Sequence, residues 1–213
     1  MMPTHTALKD FTGQPLTRQI LLELLRDYKR PYDKINEWVQ QQVLIPVKRG
    51  VFVPGAASDS QAPEPFLLAN HLLGPSYVSL ETALSYWQLI PEQVFETSSV
   101  TIARSKTYST PVGRFSYTRL PLPYYSFGQQ SVTVSPNQVA LIASAEKALC
   151  DKIITTSGLI FRSSVQLLNW LTEDMRIEKS SLRNLNLRSI QSWLNDAPKQ
   201  QSLQLLVKTL EDI

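Results

Sequence analysis

LIPVKRGVFVP, residues 44–54, sets two β-rich apolar runs on either side of Lys48-Arg49-Gly50. Gly50 can take the positive φ of a tight turn, so the stretch reads as a hairpin with a doubly basic tip. Turn chemistry explains the glycine. It leaves open whether the two cations are ordinary surface charges or contacts for something negatively charged.

The elements just upstream bear on that question. Thr17 is placed as the N-cap of a helix carrying Ile20, Leu21, Leu24 and Leu25 on one face and ending near Tyr28. Pro31 suits the first position of a second helix, with Ile35, Trp38, Val39 and Val43 on one face and Lys34, Glu37, Gln40 and Gln41 on the other. Helix, helix and basic hairpin follow in the order of a winged helix-turn-helix, whose second helix enters the major groove while the wing reaches phosphates. Residues 16–50 hold seven Lys/Arg against four acids. Arg30, Lys34, Lys48 and Arg49 suit phosphate, and Gln40 and Gln41 suit base edges; together they form the candidate DNA-binding set. The competing reading is a solvated helix face followed by a hairpin tip with ordinary charges.

Downstream, GAASDSQAPEP at residues 55–65 reads as an exposed connection, and a domain boundary is placed there. Residues 1–58 form the expected winged-helix unit and residues 63–213 a mixed domain, of which 160–213 is mostly helical. The expected class is α+β. Helices are expected at 66–73 and from Ser79 through SLETALSYWQLI to a stop at Pro91. SSVTIA, RFSYTRL and SVTV then suggest an antiparallel sheet, with residues 109–113 as a hairpin loop between the first two runs. Helices follow at 143–155, 163–173, 187–195 and 200–211.

A second basic collection, Arg104, Lys106, Arg114 and Arg119, has no acid among residues 99–120 and is interleaved with Tyr108, Phe115 and Tyr117. It is a possible nucleic-acid or protein-binding face. A half-buried sheet produces the same alternation, with Phe115 and Tyr117 on one side and Arg114, Ser116 and Thr118 on the other, and this plainer reading is preferred.

The 213 residues are 43% hydrophobic, enough for one large core or two modest ones, and the net charge of +3 permits an acidic partner without requiring one. One cysteine, Cys150, and two histidines, His5 and His71, exclude an intrachain disulfide and a Cys/His zinc site, so no metal or cofactor is expected. No apolar run approaches a membrane span and no signal-peptide pattern opens the chain, so a cytoplasmic protein without membrane contact is expected. No nucleophile elbow, phosphate-binding glycine loop or zincin motif is present, and no catalytic residue is assigned. Glu146, Lys147 and Asp151 are expected on a solvated helix face rather than in a nuclease centre, and Cys150 as a small buried residue.

VKRGVFVPG, PEPFLLANHL, GPSYVSLETALSYWQLIPEQV, TPVGRFSYTRL and LIASAEKALCDKI, in that order over residues 43–155, resemble the AbiEi family of antitoxins from bacterial type IV toxin-antitoxin systems. The resemblance implies a non-enzymatic antitoxin whose N-terminal winged helix binds its own double-stranded promoter DNA as an autorepressor. Its second domain would counter a cognate nucleotidyltransferase toxin, acting on the toxin's effect or target rather than through a stable complex. Only Val47 to Val51 matches closely enough to carry over roles, to Lys48 and Arg49 as DNA contacts. A winged helix has three helices before its wing, whereas residues 1–15, with Pro3, Gly13 and Pro15, are expected to supply one poor turn. The alternative is therefore a protein-interaction module of the same fold that has lost DNA binding.

Overall fold

A computed structural model of the chain describes residues 8–213, so His5 and the start of the expected first turn lie outside the described residues. The architecture is α+β with two sheets. The smaller is antiparallel, in the order β1 (Leu16–Thr17), β3 (Val51–Pro54), β2 (Leu44–Lys48). Between β1 and β2 lie α1 (Arg18–Leu24) and α2 (Pro31–Gln40). Thr17 caps α1 as its residue type predicts, accepting the Ile20 N–H at 3.3 Å. It also pairs with Val51 as the end of β1, a strand that two residues of sequence do not announce.

Leu8 and Lys9 are helical, and Leu8 is buried with Leu16, Leu21, Leu25, Ile35, Trp38, Val43, Leu44 and Phe52. Leu8 and the half-buried Phe11 thus brace α1 and α2 from the N-terminal side. The β2–β3 hairpin is shared between two cores: Leu44 and Phe52 face this cluster, while Val47 and Val53 belong to the main core of the following domain. The connection through residues 55–65 stays against the first unit, with the Gly55 N–H on Val43 O at 2.8 Å and the Gly13 N–H on Gln61 O at 2.8 Å.

The larger sheet runs β6 (Lys106–Thr110), β7 (Gly113–Arg119), β5 (Glu96–Thr101), β4 (Ser76–Val78), β9 (Gln138–Ala143), β8 (Gln129–Ser135). It is mixed, which corrects the antiparallel expectation: β5 pairs with β7 in parallel, as β4 does with β9. The hairpin loop does not join SSVTIA to RFSYTRL. It joins β7 to KTYST, a strand whose polar composition hid it, and the chain leaving β5 must first cross to the sheet edge. QVALIA before Ser144 is likewise a strand, paired on both sides, which the sequence reading left unassigned except for Ala143, placed there at the start of a helix.

Against the sheet pack α3 (Pro65–Leu72), α4 (Leu80–Tyr86) and α5 (Ala145–Thr155), which Ser144 caps by accepting the Lys147 N–H at 3.2 Å. α4 ends before Pro91 because Gln88 turns to φ +57° just after its C-cap Trp87. The C-terminal part is helical as expected, in α6 (Ser164–Asn169, continued by a π turn at Trp170–Asp174), α8 (Leu187–Trp193) and α9 (Gln200–Glu211). Between them α7 (Lys179–Arg183) is an additional short helix. Among the described residues no helix is long and apolar enough to cross a membrane.

Candidate nucleic-acid interface

α2 and the hairpin flank a groove of about 400 Å³ lined by Arg18, Asn36, Val39, Pro46, Val47, Lys48, Arg49, Gly50 and Phe52. The amphipathic pattern of α2 positions its share of that lining. Ile35 and Trp38 are anchored in the first core, so Tyr32, Asn36 and Gln40, spaced four apart, lie in an exposed row. Arg18 comes from the first residue of α1, where its N–H donates to Gly50 O at 2.9 Å and so fastens that helix start to the hairpin turn. Gly50 holds φ +78°, as the turn requires. Arg18 and Arg49 are exposed, and among the described residues neither guanidinium has a carboxylate partner.

The residues singled out from sequence divide on this geometry. Arg49 stands free at the tip. Lys48 also lines the groove, but its ammonium is turned to the second domain, donating to Leu72 O at the end of α3 at 2.8 Å and lying 5.5 Å from the centre of the Tyr108 ring. It is a clamp between the hairpin and the second domain. Lys34 is mostly covered and bonded to Glu37 Oε1 at 2.8 Å, an oxygen that also accepts from Gln41 Nε2 at 3.0 Å. Those bonds hold the Glu37 carboxyl below the usual glutamate range. Arg30 lies 3.7 Å from Asp33, with both side chains in water. Gln40 remains exposed at the last turn of α2. Arg18, Asn36 and Tyr32 were not singled out from sequence, although the row 32, 36, 40 was there to be read as a polar stripe opposite Ile35 and Trp38.

The second basic collection meets the first. Lys106, at the start of β6, has its ammonium 4.8 Å from the same Tyr108 ring that Lys48 approaches. β2 packs against β6, so the hairpin and the β6–β7 edge adjoin. Arg104 and Arg119 are exposed near that edge without carboxylate partners among the described residues, whereas Arg114 is held by Glu96 at 2.8 Å. Phe115 and Tyr117 are buried as alternation predicts.

One expectation is overturned. Lys147 and Asp151 are not on a solvated face: both are fully inaccessible, with Nζ 2.7 Å from Asp151 Oδ1. Asp151 Oδ2 accepts from Ser79 Oγ at 2.7 Å and Tyr77 OH at 2.9 Å, while Lys147 also donates to Tyr124 O and lies 3.5 Å from the centre of that ring. Burial drives the Asp151 carboxyl up and the Lys147 ammonium down, and the pair's mutual attraction and hydrogen bonds oppose both shifts. The helical row Lys147, Cys150, Asp151, Ile154 carried this signal, since it lies within the apolar arc of α5. Cys150 is buried, as expected, and burial raises its thiol far above the usual range. Glu146 instead accepts the Asn186 N–H at 2.9 Å, so the two carboxylates do not converge on an open site.

His71 is exposed in the last turn of α3. Among the described residues no three His, Cys, Asp or Glu side chains are arranged to hold a metal ion. The sequence matches no protein-family model and no curated relative.

Proposed function

We propose that this chain is a DNA-binding autorepressor and antitoxin of the type IV kind, with a winged-helix reading unit in its first 58 residues. One observation carries the DNA-binding half: the exposed row on α2 borders a groove whose opposite wall bears two free guanidiniums, Arg18 and Arg49. Asn36 and Gln40 have the amide donors and acceptors that read base edges, and the arginines supply phosphate contacts. The succession of helical turn, β1, α1, α2 and hairpin supports the winged-helix reading. Lys106, Arg104 and Arg119 extend the cationic surface onto the second domain, so the duplex lies across the hairpin and the β6–β7 edge together. The antitoxin half rests on the ordered resemblance over residues 43–155.

The test is binding to duplex DNA from upstream of the protein's own gene across a salt series. Counterion release predicts that log affinity falls with log salt by about 0.9 per phosphate contact, so Arg18→Ala and Arg49→Ala should each make the slope shallower by roughly that amount. Asn36→Ala should weaken the preferred sequence more than a scrambled duplex. Negligible binding at low salt overturns the DNA half. Rescue of growth against a nucleotidyltransferase-type toxin encoded next door tests the antitoxin half.

The interaction-module alternative draws on a separate observation: Lys34, Gln41 and Lys48 are committed to partners within the chain. It predicts rescue without DNA binding.

A further inference from the structure

The two edges of the large sheet are treated differently. β6 carries Lys106, neighbours Arg104 and lies against β2 of the hairpin, so a cation and a packed element protect it. At the other edge β8, QQSVTVS, has no charge and no proline, and no charged residue occurs anywhere in residues 120–145. Among the described residues, β9 alone pairs with it. Such an edge presents unpaired N–H and C=O groups as a template for another strand, and soluble proteins ordinarily block it with charge, proline, cover or a bulge, of which β8 has only a register slip between Thr133 and Ser135.

The sequence of this edge selects its partner. Residues 131–135, Ser-Val-Thr-Val-Ser, read the same in both directions about Thr133. We propose that β8 is a homodimer edge, pairing antiparallel with β8 of a second copy across a twofold axis at Thr133. Thr133 then faces Thr133 of the partner subunit, and each Val132 lies opposite a Val134. Threonine pairs and β-branched apolar pairs are both favourable across strands. A twofold contact must be self-complementary, and the palindrome supplies that condition.

Val132 and Val134 are half-buried against the main core, so their pairing continues the inner face of the sheet across the seam. On the outer face Ser131 and Thr133 stand beside Leu141 and Val139, two of the more exposed aliphatic side chains at 41% and 52%. Joining two copies brings these small apolar patches together. The register slip between Thr133 and Ser135 adds right-handed twist at the seam, which a two-strand junction accommodates.

Sedimentation equilibrium of the full chain over a wide concentration range should give a monomer–dimer equilibrium. Thr133→Lys opposes two ammonium groups across the axis and should raise the dimer dissociation constant roughly tenfold or more. Circular dichroism of that variant should be unchanged, because the side chain is exposed. Independently, Thr133→Cys should form an intermolecular disulfide under mild oxidation, because facing Cα atoms about 4.5 to 5.5 Å apart lie within disulfide range. The native thiol of Cys150 is buried and does not compete. Val112→Cys, exposed in the turn joining β6 to β7, should stay monomeric. A chain that remains monomeric throughout overturns the proposal, as does a dimer indifferent to Thr133→Lys. Equal cross-linking at positions 112 and 133 overturns it too.

Discussion

Lys147 in the α5 helix and Arg49 in the turn of the β2–β3 hairpin are both cations, yet one is sealed from water and the other stands in it. The interior cation is paid for in desolvation and retained by a carboxylate, a carbonyl and an aromatic face. The surface cation has no carboxylate partner among the described residues and costs the fold almost nothing. The Lys147–Asp151 charges therefore serve the fold, whereas the guanidiniums of Arg18 and Arg49 are not engaged by it. Lys48 stands between the two, a residue on the hairpin whose ammonium joins the domains.

The most severe test of this contrast is Asp151→Ala. It leaves the Lys147 ammonium buried without its counter-charge and removes the acceptor for Tyr77 and Ser79, and should cost about 3 to 5 kcal/mol in urea unfolding. The double variant Lys147→Met, Asp151→Leu should recover the part of that loss owed to the unpaired charge, because the desolvation cost vanishes along with the attraction, while Tyr77 and Ser79 still lack their acceptor. Comparable losses in the single and double variants would show that packing, not charge, sets the energetics.

Gly128→Ala strikes the same site from the backbone. Gly128 has φ +61°, and an added Cβ would lie 2.7 Å from Lys147 Cβ and 2.8 Å from the Trp193 ring. The expected loss is roughly 1 to 3 kcal/mol, read from the same unfolding curves. An unchanged midpoint would mean that the surroundings of Lys147 yield more readily than a close-packed core should.

Legibility in the sequence followed the same divide. α1, α2 and the hairpin were readable because caps, a first-position proline and a turn glycine are local chemistry, and the C-terminal helices because their apolar period is strong. β1 was not, since two residues become a strand only through Val51 and Phe52 across the sheet. β6 was missed because Lys-Thr-Tyr-Ser-Thr carries no apolar alternation and is a strand only through its pairing with β7. Parallel β5–β7 pairing requires a crossover that no local signal marks. Of the candidate site, Arg49 and Gln40 lie where sequence put them. The ammoniums of Lys48 and Lys34 are engaged within the chain, which sequence could not show, because which way a lysine turns depends on acceptors far along the chain or one helical turn away, here Leu72 O and Glu37. Lys147 and Asp151 were misassigned because charged residues were equated with solvent despite lying in the apolar arc of α5.

Neighbouring residues in the hairpin sharpen the comparison on a smaller scale. Lys48→Met forfeits a charged hydrogen bond and a ring contact at the domain junction and should cost about 1 to 3 kcal/mol. Arg49→Met should leave stability within about 0.5 kcal/mol, as exposed substitutions usually do. Salt-dependent DNA binding should respond in the opposite order, with Arg49→Met lowering the slope by about one contact and Lys48→Met leaving it nearly unchanged. The reverse pattern would place Lys48 in the phosphate interface and remove it from the junction.

The smallest expected effect concerns Glu37, whose interactions operate close to water. The hydrogen bond from Lys34, assisted by its charge and by Gln41, holds the carboxyl below the ordinary glutamate value of 4.5. A carboxylate depressed in the folded state contributes stability that is fully present above its unfolded value and is lost as pH falls through the lower folded value. The window thus begins near pH 4.5 and extends downward. The carboxyl carbon signal of Glu37 should titrate below that value in the wild type, and Lys34→Met should return the midpoint toward it. A midpoint that does not move would mean that the bond is not held in solution. Lys34 would then be available to an anion, though on a face of α2 turned away from the groove-lining Asn36 and Val39.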